Sequence, residues 1–334
     1  MAYRNNRRAG TAFDAATSSS MAFLASQLEY ASPKLVKPLT SMTHPRDITV
    51  ELGGGFVEFL SAYASDYATT GGNQYGLQGN SNTDIPEIQV SVNKGLWQAW
   101  NWAAGFTITD IDLKRLENAK RLGQPAPFSL QKMLEDGVQL TWNKALEVVS
   151  YIGWLGQPGL VNNATVANSL APATGTGSGR AWSTKTPVQI QTDINFMIQQ
   201  TLIQSAYSLD GMADTILIPW SVYPVLMQPM TTGGFSCVLE FIMNNNIARQ
   251  NGIDLKIFPL ANDWIATAGA GGTTRAIAYR NNEDTVLLRA PQPVTKVFTI
   301  PTANKGGAYQ TIYNGCIGQV QVYRSQAFYY LDNV

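Results

Sequence analysis

Hydrophobic positions divide the chain into stretches of different period, and each period predicts an element. From Ile48 to about Phe106, short β-prone pieces alternate with glycine and asparagine: Gly53-Gly54-Gly55, Gly71-Gly72-Asn73, Gly76 and Gly79-Asn80-Ser81-Asn82. The pattern predicts a long hairpin with a glycine-rich tip. On its return leg Ile85, Glu87, Gln89 and Ser91 fall on one face and Ile88, Val90 and Val92 on the other, which reads as a half-buried strand, with Pro86 favouring an edge. Two legs of about eighteen residues at about 3.3 Å per residue would reach roughly 60 Å, too far for an isolated hairpin to be stable without other surfaces to lie on.

Helical spacing follows. Thr109 to Leu122 reads as a short helix capped by Thr109 or Asp110, with Ile111, Leu113 and Leu116 as its apolar points and Gly123 as its end. The strongest helix starts at Ser129 with Phe128 and Met133 as a hydrophobic staple. Leu130, Met133, Leu134, Val138, Trp142, Ala145, Leu146, Val149 and Ile152 form its apolar face, and Gly153 stops it. Thr165 to Gly179 reads as a loop, and Thr186-Pro187-Val188-Gln189 opens a helix to about Leu209. A strand Thr215–Pro219, a helix from Ser236 to Gln250 and a strand Asp254–Phe258 come next. The rest is β: 276–279, 285–289, 296–300, 309–313, 318–323 and 327–330. Residues 1 to 47, punctuated by Pro33, Pro38 and Pro45, show no sustained period and read as an extended arm.

Composition narrows the chemistry. The 334 residues suffice for about two domains, yet only 14% are charged, against about 25% in ordinary soluble proteins. Lys plus Arg (23) balances Asp plus Glu (23), so net charge gives little protection against self-association. The single histidine, His44, excludes histidine-rich metal sites and leaves a hydrolytic triad one candidate base, set in the arm without a rigid shell. Cys237 and Cys316 suggest neither a disulfide framework nor zinc, and read as buried thiols. No apolar run reaches membrane-span or signal-peptide length, so the chain is expected to stay inside a cell.

Other motifs have plain readings. Gly175-Thr176-Gly177-Ser178-Gly179 lacks the spacing of a phosphate loop and reads as a flexible linker. Asp110/Asp112, Glu135/Asp136 and Glu283/Asp284 suit caps and solvated faces, and the Asn163-Ala164-Thr165 sequon is read as chance. Trp97, Trp100 and Trp102 could stack on sugars or bases, but interface anchors are favoured. Arg4, Arg7 and Arg8 could lie against phosphate.

Taken in order, these pieces resemble the major capsid proteins of tailed bacteriophages with the Hong Kong 97 fold. The resemblance runs through Asp84-Ile85-Pro86, Phe106-Thr107-Ile108-Thr109, the helix from Ser129 to Ile152, and Gly159-Leu160-Val161-Asn162-Asn163. It continues through Trp182 before Thr186-Pro187, Asp193-Ile194-Asn195, Leu217-Ile218-Pro219 and Tyr223. It closes on Ala278-Tyr279-Arg280-Asn281-Asn282-Glu283-Asp284, Gly315-Cys316-Ile317-Gly318 and Tyr330-Leu331-Asp332.

The resemblance implies an α+β capsid fold: an N-terminal arm (1–47), an extended E-loop hairpin (48–105), a peripheral domain with a spine helix (106–158 and 285–334) and an axial domain (159–284). It implies a non-enzymatic subunit, without cofactor or metal, that forms pentamers and hexamers and builds an icosahedral head around double-stranded DNA in the bacterial cytoplasm. Scaffolding, portal and decoration proteins are its expected partners, with no membrane contact. No leader or scaffolding segment is evident ahead of residue 1, so a separate scaffold or an already removed segment is expected. Arg4, Arg7 and Arg8 would face DNA, and Tyr75, Leu77, Ile85, Ile88 and Trp97 would touch the neighbouring subunit. Lys94 and the many asparagines permit a Lys–Asn cross-link of the kind some relatives form without indicating one, and none is expected. The competing readings are an encapsulin-like shell around protein cargo and, in a different class, a soluble sugar-binding protein or enzyme using the tryptophan cluster.

Overall fold

The computed structural model describes residues 40–70, 87–121, 130–230, 237–302 and 307–334. In chain order its helices are α1 (His44–Asp47), α2 (Asp110–Arg121), α3 (Leu130–Tyr151), α4 (Pro187–Gln204), α5 (Tyr223–Leu226), α6 (Val238–Asn244), α7 (Ile247–Gln250) and α8 (Asn262–Ile265). Its strands are β1 (Thr49–Leu52), β2 (Phe59–Thr70), β3 (Glu87–Thr109), β4 (Asn168–Leu170), β5 (Thr215–Pro219), β6 (Lys256–Leu260) and β7 (Arg275–Tyr279). They continue with β8 (Val286–Ala290), β9 (Gln292–Thr302), β10 (Ala308–Gly318), β11 (Val320–Val322) and β12 (Phe328–Asp332). The strands form sheets of order β1-β8-β11, β2-β3-β10-β9 and β4-β12-β7-β5-β6.

Contacts divide the described chain beyond Thr40 into two units. The smaller holds Thr107–Asp136 and Pro301–Gln310. There Thr109 caps α2: its Oγ1 accepts from the Asp112 N–H at 3.2 Å and donates to Asp112 Oδ2 at 2.5 Å. This settles the choice between Thr109 and Asp110 as cap, because a threonine hydroxyl reaches the free N–H groups of the first turn.

The larger unit holds Ser41–Phe106, Gly137–Ile300 and Thr311–Val334. The three inner strands of its five-stranded sheet, β12, β7 and β5, are buried on both faces, so they read as nearly continuous apolar runs. Ile216, Ile218, Ala276, Ala278, Tyr329 and Leu331 join one core with Ile190, Ile194, Met197 and Ile198 of α4. Alternate residues Leu217, Ile277, Tyr279, Phe328 and Tyr330 join a second core with Trp142, Leu146 and Val149 of α3. The last strand, grouped by the sequence with the peripheral segment, thus pairs inside the sheet of the 159–284 region, antiparallel to β7 and parallel to β4.

Several expectations are corrected. Helix α4 stops at Gln204, not Leu209, because Ala206 and Tyr207 turn left-handed (φ 53° and 63°). The helix expected over 236–250 is two, α6 and α7. Asn246 breaks it, accepting from the Arg249 N–H at 2.8 Å as a new N-cap. The 165–179 loop contains β4. The Gly175–Gly179 segment closes on itself, with the Gly175 N–H on the Gly179 carbonyl at 2.9 Å and no room for a Cβ against Thr184. It is a fitted turn. Burial along α3 begins only at Val138, and Met133 is exposed. Phe128 and Ser129 lie outside the described residues. Cys316 is buried, but Cys237 is half-buried and its sulfur accepts from the Glu240 N–H at the start of α6.

Candidate assembly interface

The hairpin β2–β3 pairs Phe59 with Gln98 through Thr70 with Glu87 in unbroken antiparallel register. Directly paired residues share a face. Phe59, Tyr63 and Tyr67 of β2 therefore lie with Ile88, Val90, Val92 and Leu96 of β3, and all seven are exposed. The opposite face carries Ala62, Ala64, Gln89, Ser91, Asn93 and Gly95. The predicted alternation is correct; the predicted half-burial is not. Ile88 is 71% and Val90 57% exposed, so no other described residue of this chain covers the apolar face. Lys94 stands opposite Tyr63 with its ammonium 5.8 Å from the ring centroid, in cation–π range.

The root of the hairpin is built differently. Leu60, opposite Trp97, is buried against Gly318, where an added Cβ would sit 2.3 Å from Leu60 Cδ1. Trp97 meets Tyr323 edge-on at 5.4 Å. Trp102 meets Trp142 edge-on at 5.2 Å, and Trp100 packs against the same core. Trp100 and Trp102 thus anchor the hairpin in its own chain, each half-buried against that core, because β3 is long enough to run from solvent to the core. The Gln319 N–H donates to the Gln98 carbonyl at 2.8 Å, and β3 continues beside β10, where Gly105 leaves room for the Thr311 carbonyl.

Beside this root, the end of the predicted arm is neither extended nor incidental. His44–Asp47 forms one helical turn, and His44 is 5% exposed. Asp47, fully buried, accepts the Tyr151 hydroxyl at 2.6 Å and a two-point bond from Arg46 at 2.6 and 2.9 Å. The Asp47 carbonyl accepts the Tyr279 hydroxyl at 2.6 Å, and Glu147 Oε1 accepts both the N–H and the hydroxyl of Thr43. Burial pushes the Tyr151 and Tyr279 hydroxyls well above the ordinary phenol range, and nearby Asp47 adds to it. Burial lowers the His44 pKa, against the opposing charges of Glu147 and Asp47. Only Pro45 beside His44 hinted at this turn in sequence, since proline suits a first helical position.

Of the other predicted site residues, Arg4, Arg7, Arg8, Tyr75, Leu77 and Ile85 lie outside the described residues. Among the described residues, no group of three or more His, Cys, Asp or Glu side chains could hold a metal ion, and no helix is long and apolar enough to cross a membrane.

The chain's architecture has solved counterparts. The capsid of the Myoviridae phage XM1 superposes with a TM-score of 0.71 at 17% identity, over 93% of this chain and 98% of that one. A Microbacterium phage Oxtober96 chain gives 0.59 at 12% identity, over 92% and 97%, and the capsid of a native GTA particle 0.54 at 10%, over 91% and 94%. No curated protein matches the sequence. The sequence model of the family described as Major capsid protein matches residues 74–334. Matched over residues 74–334, this mixed α+β chain belongs to the major capsid protein family, with the Hong Kong 97 fold.

Proposed function

We propose that the protein is the shell subunit of a phage head, assembling as pentamers and hexamers into an icosahedral capsid that encloses double-stranded DNA. The observation that carries this reading is the apolar face of β2–β3, seven exposed side chains that no other described residue covers, with Lys94 as the one charged residue among its described positions. A face of that kind is costly on a monomer and suits a surface that a neighbouring subunit covers. Many such contacts, each weak, sum to a closed assembly. In this reading residues 48–105 act as the E-loop, 106–158 with 285–334 as the peripheral domain and 159–284 as the axial domain, to whose sheet the closing segment contributes its last strand, β12.

Tyr75, Leu77, Ile85, Ile88 and Trp97 would touch the neighbour, Trp97 from the root of the hairpin where it meets Tyr323. Arg4, Arg7 and Arg8 would face the packaged DNA through non-specific phosphate contacts. The subunit's work is geometric and needs neither catalysis nor cofactor. Assembly would take place in the host cytoplasm with scaffolding and portal proteins, and a decoration protein could bind the finished shell.

Negative-stain electron microscopy with static light scattering tests this, on the protein expressed alone and with its neighbouring genes. Closed shells, pentamers or hexamers are expected. A monomer under every condition would overturn the reading, and native particles filled with protein instead of DNA would replace it with a cargo-holding shell.

A further inference from the structure

Directly after α3, residues 152–162 form a second apolar feature, outside the hairpin. Trp154 is 53% and Leu155 74% exposed, and Ile152 beside them is exposed as well. Leu155 is held at φ 49°, a left-handed conformation that a leucine adopts only under constraint, between Gly153 (φ 85°) and Gly156 (φ 81°).

The constraint is visible. A Cβ on Gly153 would lie 1.9 Å from the Gln157 carbonyl, and one on Gly159 2.4 Å from the Tyr151 carbonyl. Asn162 ties the loop together, accepting from the Gly159 N–H at 2.7 Å and donating to the Ile152 carbonyl at 2.9 Å. The Gln157 N–H closes on the Trp154 carbonyl at 3.0 Å, and the N–H groups of Leu160 and Val161 return to the carbonyls of Ser150 and Tyr151. The loop thus holds a strained leucine and a tryptophan out in water on a closely fitted frame. From Ile152 to Asn163 no residue is charged.

We propose that Trp154 and Leu155 form a preformed contact to a second copy of this chain, distinct from the hairpin contact; the proposal rests on the shell reading above. Rigidity removes much of the ordering cost of binding, and a half-exposed tryptophan is the residue type that most often anchors an interface. The occupant follows from area. The exposed side chains offer on the order of 300 Å², well under the roughly 800 Å² per partner that holds an independent complex. A contact that small cannot retain a separate protein, but it gains weight when repeated around a symmetric shell.

Leu155→Gly separates the contact from the fold, since glycine relieves the left-handed strain while deleting the side chain. The expected result is an unchanged or raised subunit melting temperature, with at least a tenfold rise in the protein concentration needed for shells to form. Trp154→Ala is expected to shift assembly the same way. If the wild type and Leu155→Gly assemble at the same concentration, this contact is overturned while the shell reading stands. If Leu155→Gly shells form normally but lose a second protein that wild-type shells carry, the occupant is a different chain and the self-contact is overturned. A wild type that never assembles removes the shell reading itself, and this inference with it.

Discussion

Tyr151, the last residue of α3, donates its hydroxyl to Asp47 Oδ2 at 2.6 Å, across 104 positions of sequence, with both residues fully buried. The same carboxylate takes two bonds from Arg46, whose guanidinium lies 4.3 Å from the Phe258 ring centroid, and Tyr151 stacks on Trp264 at 4.6 Å. The chain that leads into the hairpin is thereby fixed to the long helix and to the five-stranded sheet through one acid. Tyr151→Phe leaves a buried carboxylate short of a donor and is expected to cost about 1–3 kcal/mol, read as a lower denaturation midpoint with an unchanged m-value.

His44 gives this region a pH dependence. Burial holds its folded pKa below the unfolded value of 6.5, so the unfolded chain binds the proton more readily. The contribution to stability is complete above pH 6.5 and is lost as pH falls through the folded pKa. Glu147 and Asp47 face the imidazole and limit the loss. Melting temperatures taken between pH 8 and pH 5 are expected to fall for the wild type, and His44→Gln is expected to flatten the upper part of that slope.

Gly318→Ala tests the hairpin root. The new methyl would lie 2.3 Å from Leu60 Cδ1 and 2.8 Å from the Arg289 carbonyl. A destabilisation of about 1–3 kcal/mol is expected from overpacking. Adding Leu60→Ala should recover part of it, because only one of the two clashes involves a side chain, and a double-mutant cycle by chemical denaturation reads the coupling.

On the hairpin itself, Val90→Asp and Val92→Asp are expected to leave the subunit's melting temperature within about 1 °C while abolishing shells, since both side chains already face water in the single chain. Ser91→Asp, on the opposite face, is the control and is expected to assemble. Light scattering during assembly distinguishes the two faces.

At the other end of the chain, Arg275 clamps Asp332 with Nε to Oδ1 at 2.7 Å and its second nitrogen to Oδ2 at 3.0 Å, and donates to the Val161 carbonyl at 2.7 Å. Asp332→Ala strands a buried guanidinium. A loss of about 3–5 kcal/mol is expected, enough to unfold the sheet's central pair β7–β12 at moderate urea.

These residues also show how far the sequence could be read. The alternation at Ile88, Val90 and Val92 gave the correct faces of β3, because strand period is a local property. The capping signature Thr186-Pro187-Val188-Gln189 placed the start of α4 to the residue: the Thr186 N–H donates to Gln189 Oε1 at 2.8 Å. The end of α4 was misplaced, since the left-handed pair Ala206 and Tyr207 has no glycine to announce it. The break at Asn246 is not legible in sequence, because asparagine inside an apolar helical pattern gives no sign of whether it caps or is merely exposed.

The β2–β3 hairpin, the helices α2, α3 and α4, the Thr186 cap and the family resemblance were legible in the sequence alone, since each depends on residues near one another in the chain. Tertiary structure alone decided which apolar residues are covered. It packed Trp100 and Trp102, half-buried, against the core and left Val90 and Val92, on the strand face that reads as half-buried, in water, and it put the last strand between β4 and β7. It also turned His44–Asp47 inward onto Glu147, Tyr151 and Tyr279. Burial is a relation between segments more than a hundred residues apart, and hydrophobic period reports which face seeks cover without reporting what supplies it.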